Sequence, residues 1–393
     1  MSLHYTPKTF LRETSNRLLK KCFNGVLDDV DWESLPEHKI EVVYDKWQSL
    51  PEPERVAIER RFEDAEELNS DPGIHALIDE CSYHGVDIVA EWEREGLTSF
   101  RDRILWVALT HPRAFEVAGI INHAHVLSLR YWRKRGNMPQ KDPDVSPEAI
   151  ERLREAISAY FRQTQGRGHR CTVDAYLRVN RYHYFFAYPD DYANTYLGHD
   201  DGGDFVRRPQ RPAFEVVFLY DPVNGTLDLY AQGGKEVQTA LQTIFCRELM
   251  EQELLPETPN SHPYELNGLK TRGFGFPTDP EDGVEDVRVR KLRLSVLGGH
   301  KRRIWLEADP DGARDDVYDM MEQYLDARNL PSSLANITVA TLSMKIAALA
   351  TEKGGTVTFD VSFPNSSNLK SEKRARLRDI AEKYLKQWGI DRA

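Results

Sequence analysis

The sequence predicts an α+β protein: a helical domain over residues 1–165, followed by a largely antiparallel sheet domain over residues 170–393. Three observations carry this reading. Apolar residues recur with a period of about 3.6 up to residue 165, and the period switches to 2 from Thr172. A strand–strand–helix layout then recurs near residues 213–250, 291–326 and 338–388. The length of 393 residues suits two or three domains at roughly 150 residues each, and 40% hydrophobic residues suffice for a sizeable core.

In the helical half, residues 51–68 read as a charged amphipathic helix. Residues 73–93 continue helical, with Leu77, Ile78 and Cys81 on the apolar side. Residues 112–135 give the clearest pattern. Pro112 suits a first turn, and Ala114, Phe115, Ala118, Ile121, Leu129 and Trp132 form a stripe. Gly136 follows the cationic run Arg133, Lys134, Arg135, as expected at a helix C-terminus. Ser146 is a good N-cap with Pro147 next, opening a helix to about residue 165, where Gly166 and Gly168 break the period.

In the sheet half, Phe214, Val216, Phe218 and Tyr220 alternate before an Asn224-Gly225 hairpin signal, and Leu227 and Leu229 return. Val237, Ala240, Leu241, Ile244 and Phe245 then form a helical stripe. The second stretch runs Leu292, Leu294, Val296, a Gly298-Gly299 turn, Ile304 and Leu306, with Val317, Met320 and Tyr324 on its helix. The third runs Leu342, Met344, Ile346, a Gly354-Gly355 turn, Val357, Phe359 and Val361, with Leu377, Ile380 and Tyr384 on its helix. A strand pair cannot bury its apolar face alone, so each helix is expected to cover one, in one continuous layered body. Ancestral duplication and plain α+β packing both produce this pattern. Residues 256–286, rich in Pro, Gly and acids, read as a long surface excursion.

A net charge of −11 argues against a protein-wide nucleic-acid or membrane surface and leaves a local basic patch open. There is no 18-residue apolar run, and residues 1–21 lack the apolar core of a secretory leader. Cys22, Cys81, Cys171 and Cys246 lie far apart, which suits reduced, buried thiols in a cytoplasm better than disulfides or zinc. No P-loop, dinucleotide fingerprint, nucleophile elbow, HExxH or kinase set occurs. The leading expectation is therefore a non-enzymatic binding protein with no cofactor and no membrane association.

Its candidate site is the domain junction. Arg162, Arg167, His169, Arg170, Arg178 and Arg181 cluster there around two glycines, and Asp174 is the only carboxylate between Arg162 and Tyr188. Such arginines can fork onto phosphate or carboxylate, and the neighbouring Tyr184, Phe185, Phe186 and Tyr188 can stack bases, giving an anionic ligand or nucleic acid as partner. Against this, Arg-Gly turns often only join domains, and aromatic strands usually line cores.

A rival reading is a metal-dependent hydrolase or nuclease centred on His199, Asp200, Asp201 and Asp204, with Asp190 and Asp191 nearby, holding Mg²⁺ or Mn²⁺. Arg207, Arg208 and Arg211 oppose it by neutralising the run as a solvated loop. A third reading is a protein–protein adaptor working through the acidic helices of residues 50–100. His123 and His125, two apart on a helix, cannot chelate together, and His111 reads as a helix-terminus residue. The basic run Lys370, Lys373, Arg374, Arg376 and Arg378 reads as a solvated face.

Overall fold

The structure, a computed structural model, describes residues 5–177, 182–200, 202–258, 261–297, 302–309, 316–325, 330–348 and 354–393. The fold is α+β, helical in its N-terminal part and mostly antiparallel strands thereafter. The chain divides into two units: residues up to Leu127 with Lys373–Ala375, and Ser128–Glu372 with Arg376–Ala393.

The first unit contains α1 (Pro7–Glu13), α2 (Asn16–Cys22), α3 (Glu41–Gln48), α4 (Glu52–Glu67), α5 (Asp71–Tyr83), α6 (Ile88–Arg94), α7 (Phe100–Thr110) and α8 (Pro112–Val126). Side chains of Ser70, Asp87 and Ser99 cap α5, α6 and α7 by accepting from the first free amides. The helix expected over residues 73–93 is broken at His84-Gly85 into α5 and α6. Phe10, Phe23, Trp47 and Phe62 pack ring to ring at its centre, with centroids 4.5–6.1 Å apart.

The second unit opens with β1 (Trp132–Arg135), and here the structure departs from the expected helix over residues 112–135. That helix ends at Val126, and Trp132 to Arg135 pair antiparallel with β7 (Thr226–Tyr230), from Trp132↔Tyr230 to Arg135↔Leu227. Long-range pairing buries Trp132 and overrides the local helical period. Gly136 therefore follows a strand and stops no helix.

Further along are α9 (Pro147–Gln165), β2 (Val173–Tyr176), β3 (His183–Ala187), β4 (Asn194–His199), β5 (Phe205–Gln210), β6 (Val216–Asp221) and α10 (Lys235–Met250). The first sheet has the order β1-β7-β6-β3-β2. Leu153, Ile157 and Phe161 of α9 and Phe245 of α10 share a core with Phe185 and Phe218. Ser146 does cap α9, with Pro147 in its first turn. The apolar stripe of α9 needs a partner, and the sheet provides it. The helix expected to close the helical domain thus lies in the second unit.

The second sheet is built from β8 (Val284–Val296), β9 (Arg302–Glu307), β10 (Ala335–Ile346), β11 (Gly355–Ser362) and β12 (Ser366–Ser367), in the order β12-β11-β10-β8-β9. Helices α11 (Val317–Tyr324) and α12 (Ala375–Gln387) contribute to its core. The first strand–strand–helix stretch therefore belongs to one sheet and the other two to another, where β10 pairs with both β8 and β11. This makes two layered bodies with separate cores, in place of the single one expected. The Gly298-Gly299 turn lies outside the described residues. The expected excursion over residues 256–286 also differs, because Tyr264, Leu266 and Leu269 are buried in the second core and Tyr264 bridges Asp391.

Between the two sheets, Lys134 Nζ lies 2.7 Å from Asp391 Oδ2, Lys370 Nζ lies 2.8 Å from Asp228 Oδ2, and the Lys134 amide donates to the Asn365 carbonyl at 2.9 Å. Lys370 also sits 4.6 Å from the centre of the Trp132 ring, so it is a structural link and no part of a solvated face. Arg376 likewise donates to the carbonyls of Ala347 and Asp282.

Among the described residues no helix is long and apolar enough to cross a membrane. Cys22, Cys81, Cys171 and Cys246 are buried free thiols, and burial pushes each up to about 11. Ellman's reagent at about pH 8 is expected to leave all of them intact in the folded protein and to titrate all of them in denaturant. Rapid reaction of any one in the native state would contradict its burial.

Candidate functional site

Arg167 and Arg170 of the junction meet Asp190 and Asp191 of the acidic run at the root of a two-stranded arm. Helix α9 ends at Gly166, in the left-handed region at φ 68°. Gly168 has φ 77°, and a Cβ there would lie 2.8 Å from the Phe161 Cβ, so only glycine fits the turn. Three hydrogen bonds lace this turn to the segment entering the arm. The Gly168 amide donates to the Asp190 carbonyl at 2.8 Å, the Asp190 amide to the Arg170 carbonyl at 2.8 Å, and the Arg170 amide to Asp190 Oδ1 at 3.1 Å. Ser158 Oγ closes the loop onto the Gly168 carbonyl at 2.6 Å.

Arg167 is spent inside this root. Its side chain, only 12% exposed, donates to Asp191 Oδ1 at 2.8 Å and to Gln165 Oε1 at 2.9 Å. Its guanidinium lies 3.9 Å from the centre of the Phe214 ring and 5.5 Å from that of Tyr192. Burial acts to raise the Asp191 carboxyl, but the Arg167 hydrogen bond and charge, with the Tyr192 amide, hold it below the usual range. Arg167 is therefore a pin, unavailable to a ligand. Arg162, His169 and Arg170 are exposed around it, and Arg178 and Arg181 lie outside the described residues.

Three of the four aromatics expected to stack bases are buried, and the fourth, Tyr188, is half-buried. Tyr184, Phe185 and Phe186 of β3 are buried on both faces of the strand, with Phe185 against Phe245 and Tyr184 stacked parallel to Phe186.

Among the described residues the acidic run does not converge. Asp190 and Asp191 serve the root, Asp200 accepts from the Gly202 and Asp204 amides of its own turn, and His199 packs beside Phe205. Asp201 lies outside the described residues. Among the described residues no three His, Cys, Asp or Glu side chains come together to hold a metal ion. His111 precedes α8 and pairs with Glu91 at 3.2 Å.

What sequence reasoning missed is the arm itself. Among the described residues, strands β4 and β5 pair only with each other, in the register Tyr196↔Arg208, Leu197↔Arg207 and His199↔Phe205. Alternate residues face opposite sides, yet Tyr196, Leu197 and Phe205 are all exposed, Phe205 at 57%. Arg207, Arg208 and Arg211 are exposed too. Two runs of six residues around a Gly-Gly turn were a hairpin signal, masked by the density of acids at the tip. No protein-family model matches the chain, and no curated protein sequence matches it either.

Proposed function

We propose that this protein is a non-enzymatic binding protein that takes nucleic acid through the β4–β5 arm and the arginines around its root. The observation that carries this reading is a set of exposed guanidiniums that form no ion pair with a described residue. Arg162, Arg170, Arg207, Arg208 and Arg211 are exposed, and none forms an ion pair with a described residue, in a chain whose net charge is −11. Arginine forks match phosphate geometry, and a two-stranded ribbon is a shape that docks into a nucleic-acid groove. An isolated hairpin is marginally stable in water, so exposed Tyr196, Leu197 and Phe205 gain from a partner surface. Buried free thiols suit a reducing compartment, and the cytoplasm is the location that goes with this reading.

Fluorescence anisotropy with a labelled single strand and a labelled duplex, each at two salt concentrations, tests the proposal. Affinity is expected to fall steeply with salt. The combined variant Arg170→Ala, Arg207→Ala, Arg208→Ala, Arg211→Ala is expected to flatten the log–log salt slope on the single strand by about 3, at about 0.7 per phosphate contact. Absent or salt-insensitive binding, or a slope unchanged by the variant, overturns it.

A further inference from the structure

The outer face of the second sheet carries a second feature. Its inner face is apolar: Leu292, Leu294, Leu306, Leu342, Met344 and Phe359 are buried with α11 and α12. Strand alternation sends the opposite set outward. Across β9 and β8 the register on that face pairs Arg303 with Ser295, Trp305 with Arg293 and Glu307 with Lys291. The face continues through Val339, Thr341 and Ser343 of β10, of which Val339 and Ser343 are buried, to Asp360 and Thr358 of β11.

On this polar face the one large apolar side chain of β9, Trp305, is 55% exposed. A lone exposed tryptophan is ordinary on a protein surface. Its surroundings here are not. The Arg293 guanidinium lies 5.3 Å from the ring centre and Lys291 Nζ lies 5.7 Å from it. Lys291 is neutralised by Glu307 at 2.9 Å. Arg293 and Arg303 form no ion pair with a described residue. Arg293 Nε is oriented by the Thr338 hydroxyl at 2.9 Å, and partial burial together with the charge of Arg303 disfavours its protonated form. Two neighbouring guanidiniums that repel each other beside a half-exposed indole, already in contact with Arg293 and Lys291, leave electrostatic demand for an anion next to an aromatic surface.

We infer that this face is a single-strand site, in which an unpaired nucleobase stacks on Trp305 while Arg293 and Arg303 hold the adjoining phosphates. Any base has a π-face, so such a platform takes a strand without reading its sequence. The duplex is excluded because its bases are already stacked. The inference rests on the nucleic-acid reading above only for its ligand class; the residues and the surface are different.

The test compares two labelled 15-mers of equal backbone charge, oligo-dT and a fully abasic strand, by anisotropy. The wild-type protein is expected to prefer oligo-dT by on the order of ten-fold, from one stacked base. Trp305→Ala should bring that ratio close to one, and Trp305→Phe should restore most of it. Exposure of Trp305 means the alanine variant should keep its thermal melting point, which confirms an intact fold. Replacing residues 194–210 by a short Gly-Ser turn should lower affinity for both strands and leave the ratio standing.

The outcomes separate the two readings. Tight, salt-dependent binding with a ratio of one in the wild type, or a ratio unmoved by Trp305→Ala, overturns the stacking site and leaves the arm. A ratio abolished by Trp305→Ala, with affinity untouched by loss of the arm, supports the stacking site and removes the arm. No binding to either strand overturns both. A wild-type dimer that Trp305→Ala converts to monomer in light scattering overturns the inference in favour of self-association.

Discussion

Asp391→Ala is expected to cost about 3–5 kcal/mol of folding stability, the penalty for stranding a buried charge. The Lys134 side chain is 12% exposed and that of Asp391 is 7% exposed, so removing the carboxylate leaves a mostly buried ammonium without its hydrogen-bonded partner. Burial acts to lower Lys134, but Asp391 and Asp228 outweigh it and hold the ammonium above its usual range. Lys134 is therefore held charged in the wild type, and once Asp391 is gone Asp228 is the nearer of the charges left to offset its burial. For a unit of this size the melting temperature should fall by roughly 10 °C. Lys134→Met in the same background should recover most of that loss, because an apolar pair of similar volume removes the stranded charge. Circular-dichroism melts of the wild type, both single variants and the double variant check this. Independent, additive effects would show that the two side chains do not act as a pair.

Arg167→Ala is the second large expected effect, at about 2 kcal/mol from the partly buried ion pair and the ring contact together. Its dependence on pH identifies the cause. Asp191 is held below its unfolded value, so its contribution is complete above the unfolded carboxyl pKa of about 3.9 and is lost as pH falls through the lower folded value. The stability gap between wild type and variant should therefore narrow below about pH 4. A constant gap across acid pH would assign the loss to packing on Phe214 alone. Loss of the pin should also speed proteolysis within residues 192–212, since Tyr192 and Asp191 anchor the arm to residues 165–167.

How far the sequence could be read depended on whether local order settles the matter. Ser146 and Pro147 open α9, and Val216 through Tyr220 form a strand, because capping and alternation act within a few residues. Trp132 to Arg135 can end a helix or form a strand, and a partner in β7 decides. Arg167 was visible as an unusual arginine, but whether it faces a ligand depends on Asp191 and Phe214, which only the folded chain brings to it. Trp305 escaped because apolar parity on β9 picks out Ile304 and Leu306, and the opposite parity reads as solvated surface. Periodicity tells which residues prefer burial; it does not tell what an exposed face awaits.

The Lys134–Asp391 pair spans 257 positions. A ribosome adds about 5–20 residues each second, so Lys134 emerges on the order of ten seconds or more before its counter-ion exists. During that interval Asp228, opposite Lys134 in β7, is the carboxylate at hand, so closing the interior around β1 is less favourable than after Asp391 arrives. The pair thus ties the edge of the first sheet to the last segment of the fold, and the full electrostatic gain of closing that edge waits on the most distant stretch of chain.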